Sequence, residues 1–227
     1  MPPAAPQLVQ RVDFVTALCR GRTVLHLGCT NWPYTAESLR HGTLLHETLR
    51  GVASRVVGFD ADAEGLAALA GLDVPDLHPA DLERLGEVAL DDTFDIVLAG
   101  EIIEHLNNPG LFLAGVRRFL RPDSRLVITT VNAYCGLRAA LYATRGRGGI
   151  QEPIHPDHVA YYSYATLGGL LRRHGYRVDE WCFYDLGREH RPHNPWYYNA
   201  TNDVLVRLSH QLADGIIAVC SIDGRSA

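Results

Sequence analysis

Two carboxylates that close short apolar runs are the feature of this 227-residue chain most able to do chemistry. Arg55-Val56-Val57-Gly58-Phe59-Asp60 stops on one, and Leu77-His78-Pro79-Ala80-Asp81-Leu82 carries another. Upstream, Thr23-Val24-Leu25-His26-Leu27-Gly28 ends on a glycine, whose missing side chain lets a ligand approach the backbone. In open α/β sheets ligands lie outside the carboxyl ends of the strands, where Asp60 can accept two ribose hydroxyls. These residues predict a nucleoside-binding site.

The elements needed to position them follow from the apolar pattern. Short apolar runs separated by helical segments read as neighbouring strands of a buried parallel sheet. Leu8, Val12, Val15, Leu18 and Cys19 recur at helical spacing after a mobile tail over 1–6, and a helix is expected over roughly 38–51. Ala63 to Ala70, Leu111 to Leu120 behind Asn108-Pro109, Tyr134 to Thr144, Leu167 to Leu171 behind Ser163, and Val204 to Leu212 supply further helices. Phe94 to Ala99, Arg125 to Val131, Tyr176 to Phe183 and Gly215 to Cys220 bring the count to about seven strands. The stretch from Asp185 to Asn202 reads as irregular. The fold class is therefore α/β, a doubly wound sheet.

Composition narrows the function. With 47% hydrophobic residues and no long Pro/Gly/Ser linker, a single domain over 1–227 is expected. The formal charge of −5 argues against a nucleic-acid partner, although Arg117, Arg118, Arg121 and Arg125 form either a local basic surface or a solvated helix face. The first residues lack the pattern of a signal peptide and no run approaches a membrane span, so a cytoplasmic protein is expected. Five scattered cysteines without a C-x-x-C pair indicate neither a disulfide framework nor a zinc site. His155-x-x-His158 and His190-x-x-His193 have a spacing compatible with a metal but lack a metal hydrolase's glutamate, and no metal is expected.

Dinucleotide dehydrogenases and methyl donors both fit such a sheet. A dinucleotide fingerprint requires G-x-G-x-x-G, whereas Gly28 is followed by Cys29-Thr30-Asn31-Trp32-Pro33. The ordered set Val24-Leu25-His26-Leu27-Gly28-Cys29, Val56-Val57-Gly58-Phe59-Asp60, Ala80-Asp81-Leu82, and Phe94-Asp95-Ile96-Val97 running into Glu101-Ile102-Ile103-Glu104-His105-Leu106 resembles the class I S-adenosylmethionine (SAM)-dependent methyltransferases. His155-Pro156-Asp157-His158-Val159, Ser163 and Leu167 extend the likeness to the small-molecule branch.

That resemblance implies a Rossmann-like sheet, mostly parallel with the last strand antiparallel, and SAM as cofactor. Gly28 would lie against the methionine part, Asp60 with Ala61 at the ribose, Asp81 with Leu82 at the adenine, and Gly100 with Glu101 beside the transferable methyl. Two departures stand out. The acidic residue usual two places before Gly28 is His26, and the second glycine of the loop is Thr30. Contacts to the donor's amino group must then come from Asn31, Trp32, Tyr34 or His46, in a loop enlarged between the first strand and its helix.

A hydroxyl or protonated amine acceptor must lose a proton, and neutral histidine suits that task. His105 is the first candidate base, followed by His155 and His158 in the segment 132–165, expected to cover the acceptor. Orienting Glu101, bonding a nearby carbonyl or lining the pocket are equally open roles for these histidines. Tyr161, Tyr162, Tyr164, Trp196, Tyr197 and Tyr198 could shape an acceptor pocket, and Arg138 and Arg145 could hold an acidic acceptor. The expected activity is SAM-dependent methylation of a small molecule or peptide, with oxygen the favoured atom. Transfer to nitrogen or carbon, a silent SAM-binding partner and a nicotinamide-dependent oxidoreductase are the alternatives.

Overall fold

The apolar runs align as the middle of one mixed sheet. The computed structural model describes residues 6–145, 157–187 and 191–224. Its strands are β1 (Gln7–Val9), β2 (Thr23–Leu27), β3 (Arg55–Asp60), β4 (Leu77–Pro79), β5 (Phe94–Gly100), β6 (Leu120–Val131), β7 (Tyr176–Tyr184) and β8 (Gly215–Ile222). They form an eight-stranded sheet in the order β1-β7-β8-β6-β5-β2-β3-β4. Strand β8 runs antiparallel to β6 and β7, and the other pairings are parallel. The chain winds outward from β2 to β4, then returns to β5 on the other side of β2. That reversal makes the β2/β5 boundary the switch point at which open α/β sheets bind ligands.

Successive side chains on a strand face opposite ways, and both faces here are apolar. Leu25, Leu27, Val57, Phe59 and Val97 belong to one core cluster, and Val24, Val56, Ile96 and Leu98 to the other. Covering both faces are α1 (Arg11–Cys19), α2 (Thr35–His41), α3 (Leu45–Arg50), α4 (Ala63–Ala70), α5 (Pro109–Val116), α6 (Gly136–Arg145), α7 (Tyr164–Arg173) and α8 (Trp196–Leu208). Burying a side chain the size of Phe59 contributes about 1.5–3 kcal/mol, so the strand ends that carry the site rest on a firm base.

Four elements differ from the sequence reading. Gln7–Val9 form an added edge strand in register with Cys182, Phe183 and Tyr184, so the first helix begins at Arg11 instead of Leu8. The helix expected over 38–51 is split by Gly42, which caps α2 in the left-handed conformation (φ 65°). The helix expected to reach Leu120 stops at Val116; a tight turn, Arg117–Phe119, then leads into β6, whose register shifts around exposed Pro122. Lastly, α8 starts at Trp196, inside the stretch expected to be irregular.

The arginines after α5 hold the frame together. Arg118 donates to the carbonyls of Leu85, Gly86, Val88 and Leu90, Arg117 to those of His174 and Gly175, and Arg121 pairs with Asp95. They form neither a basic face nor a merely solvated one. Among the described residues, no helix is long and apolar enough to cross a membrane.

Candidate active site

A cavity of about 800 Å³ opens at the carboxyl ends of β2, β3 and β5. Its wall includes His26 and Gly28 from β2 and its end, Asn31 and Trp32 from the following loop, and Asp60 and Ala61 at the end of β3. Asp81, Leu82, Gly100, Glu101, His105 and His158 complete the set of expected residues on that wall. Tyr34 and His46 are absent from the lining: Tyr34 is exposed, and His46 is fully buried. His155 lies outside the described residues.

The side of the cavity around Gly28 and Asp60 is preset by hydrogen bonds. Gly28 has φ 74°, and a Cβ built there would fall 2.1 Å from Ile102 Cδ1, so the close approach requires glycine. The backbone N–H of Thr30 (2.9 Å) and its hydroxyl (2.8 Å) donate to Asp60 Oδ2, while the Asp62 N–H donates to Oδ1 (2.9 Å). Thr30, which stands where the resembled family has a glycine, thus clamps the Asp60 carboxylate. A carboxylate offers about four acceptor directions, so Oδ1 keeps room for one more donor. Asp81 Oδ1 accepts from the Glu83 N–H (2.9 Å) and stays exposed at the far end. Asn31 donates through Nδ2 to Ser38 Oγ (2.7 Å), which ties its side chain to α2.

Near the carboxyl end of β2, His26 stacks on His46, with ring centroids 5.5 Å apart and Nδ1 atoms 3.2 Å apart. Burial lowers the pKa of both: His46 falls to about 4, and His26 drops well below its usual value with further help from His46 and Arg11. Both are neutral near pH 7, so one Nδ1 carries the proton and the other accepts it. His46 Nε2 is buried without a partner. An orphaned acceptor is better tolerated than an orphaned N–H, which places the shared proton on His46 Nδ1 and the His26 proton on Nε2. His26 then offers the cavity a donor where an acidic residue was expected. Arg11, from the first turn of α1, adds a cation to the same wall.

Past β5, Glu101 adopts φ 57°, a left-handed conformation uncommon for a residue with a side chain. Its N–H donates to the Thr129 carbonyl (2.9 Å), and its Oε1 accepts from Tyr184 (2.5 Å) and Thr129 (3.1 Å) hydroxyls. Gly215 makes the Tyr184 contact possible, because a Cβ there would overlap the Tyr184 ring. Next, Glu104 is fully buried; burial, then the Glu101 carboxylate, push its pKa up to about 8. The His105 and His158 rings meet edge to face at 4.6 Å.

Other expected acceptor residues are placed elsewhere. Arg138 pairs with Asp214 (2.7 Å) and donates to the Asn132 carbonyl, so it braces α6 instead of facing a ligand. The Arg145, His190 and His193 side chains lie outside the described residues. Of the aromatic residues, Tyr161 meets the His158 ring, Tyr164 packs on Trp181 and Phe183, and Trp196 is 79% exposed on α8; none lines the cavity. Arg11, Thr129 and Tyr184 escaped the sequence reading because only the tertiary fold brings them to the site.

Residues 8–180 match the family model described as a methyltransferase domain. The chain belongs to that methyltransferase family. Structures of SAM-dependent methyltransferases share its fold, and the chain spans a little under two thirds of the length of the first curated relatives that it matches. The ubiquinone biosynthesis O-methyltransferase of Burkholderia lata is 26% identical over 165 residues, which cover 67% of this chain and 63% of that protein. A SAM-dependent methyltransferase from Archaeoglobus fulgidus has a similar structure, with a TM-score of 0.60 and 18% identity over 93% of this chain and 91% of its own. The DhpI–SAH complex scores 0.53 at 18% identity, covering 94% and 83%. The residues lining the cavity suit SAM, the cofactor that the sequence resemblance implies: a glycine cradle, carboxylates at two strand ends, and the Glu101 carboxylate.

Proposed function

We propose that this methyltransferase transfers a methyl group to a hydroxyl oxygen of a small molecule or peptide. The supporting observation is that His105 and His158 line one end of the cavity with Glu101, while buried Glu104 meets the two histidines behind it. The O-methyltransferase name of its relatives in ubiquinone biosynthesis agrees with this reading.

What SAM supplies when bound is a methyl group activated on a sulfonium, so the chain's own residues need only bind, orient and manage a proton. Asp60 accepts from a ribose hydroxyl and Asp81 from the adenine amino group, over Leu82 and Ala61. The Arg11 guanidinium and His26 Nε2–H face the methionine carboxylate. Glu101, fixed by Tyr184 and Thr129, brings its negative charge next to the sulfonium. The acceptor hydroxyl is held at the cluster of Glu104, His105 and His158, where it gives up its proton. His158, in the described part of the segment 132–165, lines this end of the cavity.

A panel of phenols, hydroxy acids, amines and peptides, incubated with methyl-labelled donor, tests the reading. Label recovered in ethers or esters is expected, and label confined to nitrogen or carbon would overturn it. His105→Ala should lower turnover while leaving the affinity for S-adenosylhomocysteine unchanged.

A further inference from the structure

Glu104, His105 and His158 each present one metal-binding atom, and the three atoms lie within 4.8 Å of one another. The sequence had paired His158 with His155; the fold pairs it with a carboxylate and an imidazole from the segment after β5. Glu104 is fully buried and its Oε1 has no hydrogen-bond partner, a rare state for a buried carboxylate oxygen and the one a cation would relieve. Its other oxygen is oriented by the Thr130 hydroxyl at 2.9 Å, the kind of outer contact that fixes a ligating carboxylate. The Glu104 carbonyl accepts from the N–H groups of Val159 (2.9 Å) and Ala160 (3.2 Å). Those bonds pin the segment bearing His158 to the segment bearing the other two ligands.

We propose that Glu104, His105 and His158 hold a divalent first-row transition cation that receives the acceptor's oxygen. The proposal rests on the hydroxyl-acceptor reading and names how that hydroxyl is activated. Two imidazoles and one carboxylate suit Mn²⁺, Fe²⁺, Co²⁺ or Zn²⁺, whereas Mg²⁺ and Ca²⁺ favour all-oxygen sites. Ligand atoms at roughly 2.0–2.2 Å from one ion stand about 3 Å apart, a closure within reach of side-chain rotation. Three protein ligands leave positions open toward the cavity that His105 and His158 line. An oxygen bound there is acidified: its O–H bond breaks with the proton passing to water, and its electron pair forms the new O–C bond. The C–S bond of the donor breaks with its pair remaining on sulfur, so no oxidant or reductant is needed.

The test uses tag-free, chelator-stripped full-length protein titrated with Co²⁺. One ion per chain with visible d–d absorption is expected, weakened at least tenfold in both Glu104→Gln and His158→Asn. These two variants sit on separate segments, so a folding failure in one leaves the other informative. Absence of the Co²⁺ spectrum in the parent protein, or its persistence in a folded variant, would overturn the site. Hydroxyl methylation that survives complete metal removal would also overturn it while leaving the O-methyl reading intact. Metal-dependent turnover with the label on oxygen would support both.

Discussion

Replacing His46 with phenylalanine should flatten the acid limb of the protein's stability curve. His46 is fully buried against His26, and burial lowers its pKa from 6.5 to about 4. Between those values the unfolded chain binds a proton that the folded chain refuses, so stability is complete above about pH 6.5 and falls as pH drops toward 4. For this single group the loss works out at about 2 kcal/mol at pH 5 and about 3 kcal/mol below pH 4. Phenylalanine keeps the stacked ring and cannot titrate. It also forfeits the Nδ1 hydrogen bond, a cost of about 1 kcal/mol at pH 7. Groups such as Glu104 titrate in both proteins and largely cancel in the difference. Urea denaturation of parent and variant at pH 7 and pH 5 measures it. The stability gap between the two should shift by about 2 kcal/mol in the variant's favour on acidification. A gap that stays constant with pH would refute the neutral buried pair.

Three further outcomes follow from the donor side. Asp60→Ala removes a charge-assisted acceptor worth about 1.5–3 kcal/mol, so S-adenosylhomocysteine should bind some ten- to hundredfold more weakly by calorimetry. Gly28→Ala meets both a positive φ, costing about 1–2 kcal/mol, and the Ile102 side chain; a lower melting temperature and weaker product binding are expected together. Arg11→Ala should weaken S-adenosylhomocysteine while leaving methylthioadenosine, which lacks the amino-acid part, bound as before; equal losses for the two ligands would remove Arg11 from the methionine end.

The gathering of Gly28, Asp60 and Asp81 at one cavity was legible because its signals are local. A strand that ends on Asp60, a strand that ends on Gly28 and the turn at Asp81 each need only a few consecutive residues, and all three reached the cavity. Thr30 was visible as a departure, but its bond to Asp60 spans two strand ends and becomes evident only in three dimensions. The end of the cavity around Glu101, His105 and His158 depends on long-range contacts. Tyr184 reaches Glu101 across Gly215, and His158 reaches Glu104 and His105 through a segment whose place no periodicity encodes. Strand β1 escaped notice for the same reason: three residues became a strand by pairing with the edge of β7, far along the chain. His46 was assigned to the donor by residue type alone, whereas its position on α3 puts it in the core behind His26.

A crystal structure of the enzyme with S-adenosylhomocysteine bears most directly on the assignment of donor contacts. It should show the sugar within hydrogen-bonding distance of Asp60, the purine amino group at Asp81, the carboxylate near Arg11, and sulfur turned toward Glu101 and His105. A product molecule lodged outside this cavity, or one lying in it with sulfur turned away from His105, would contradict the assignment.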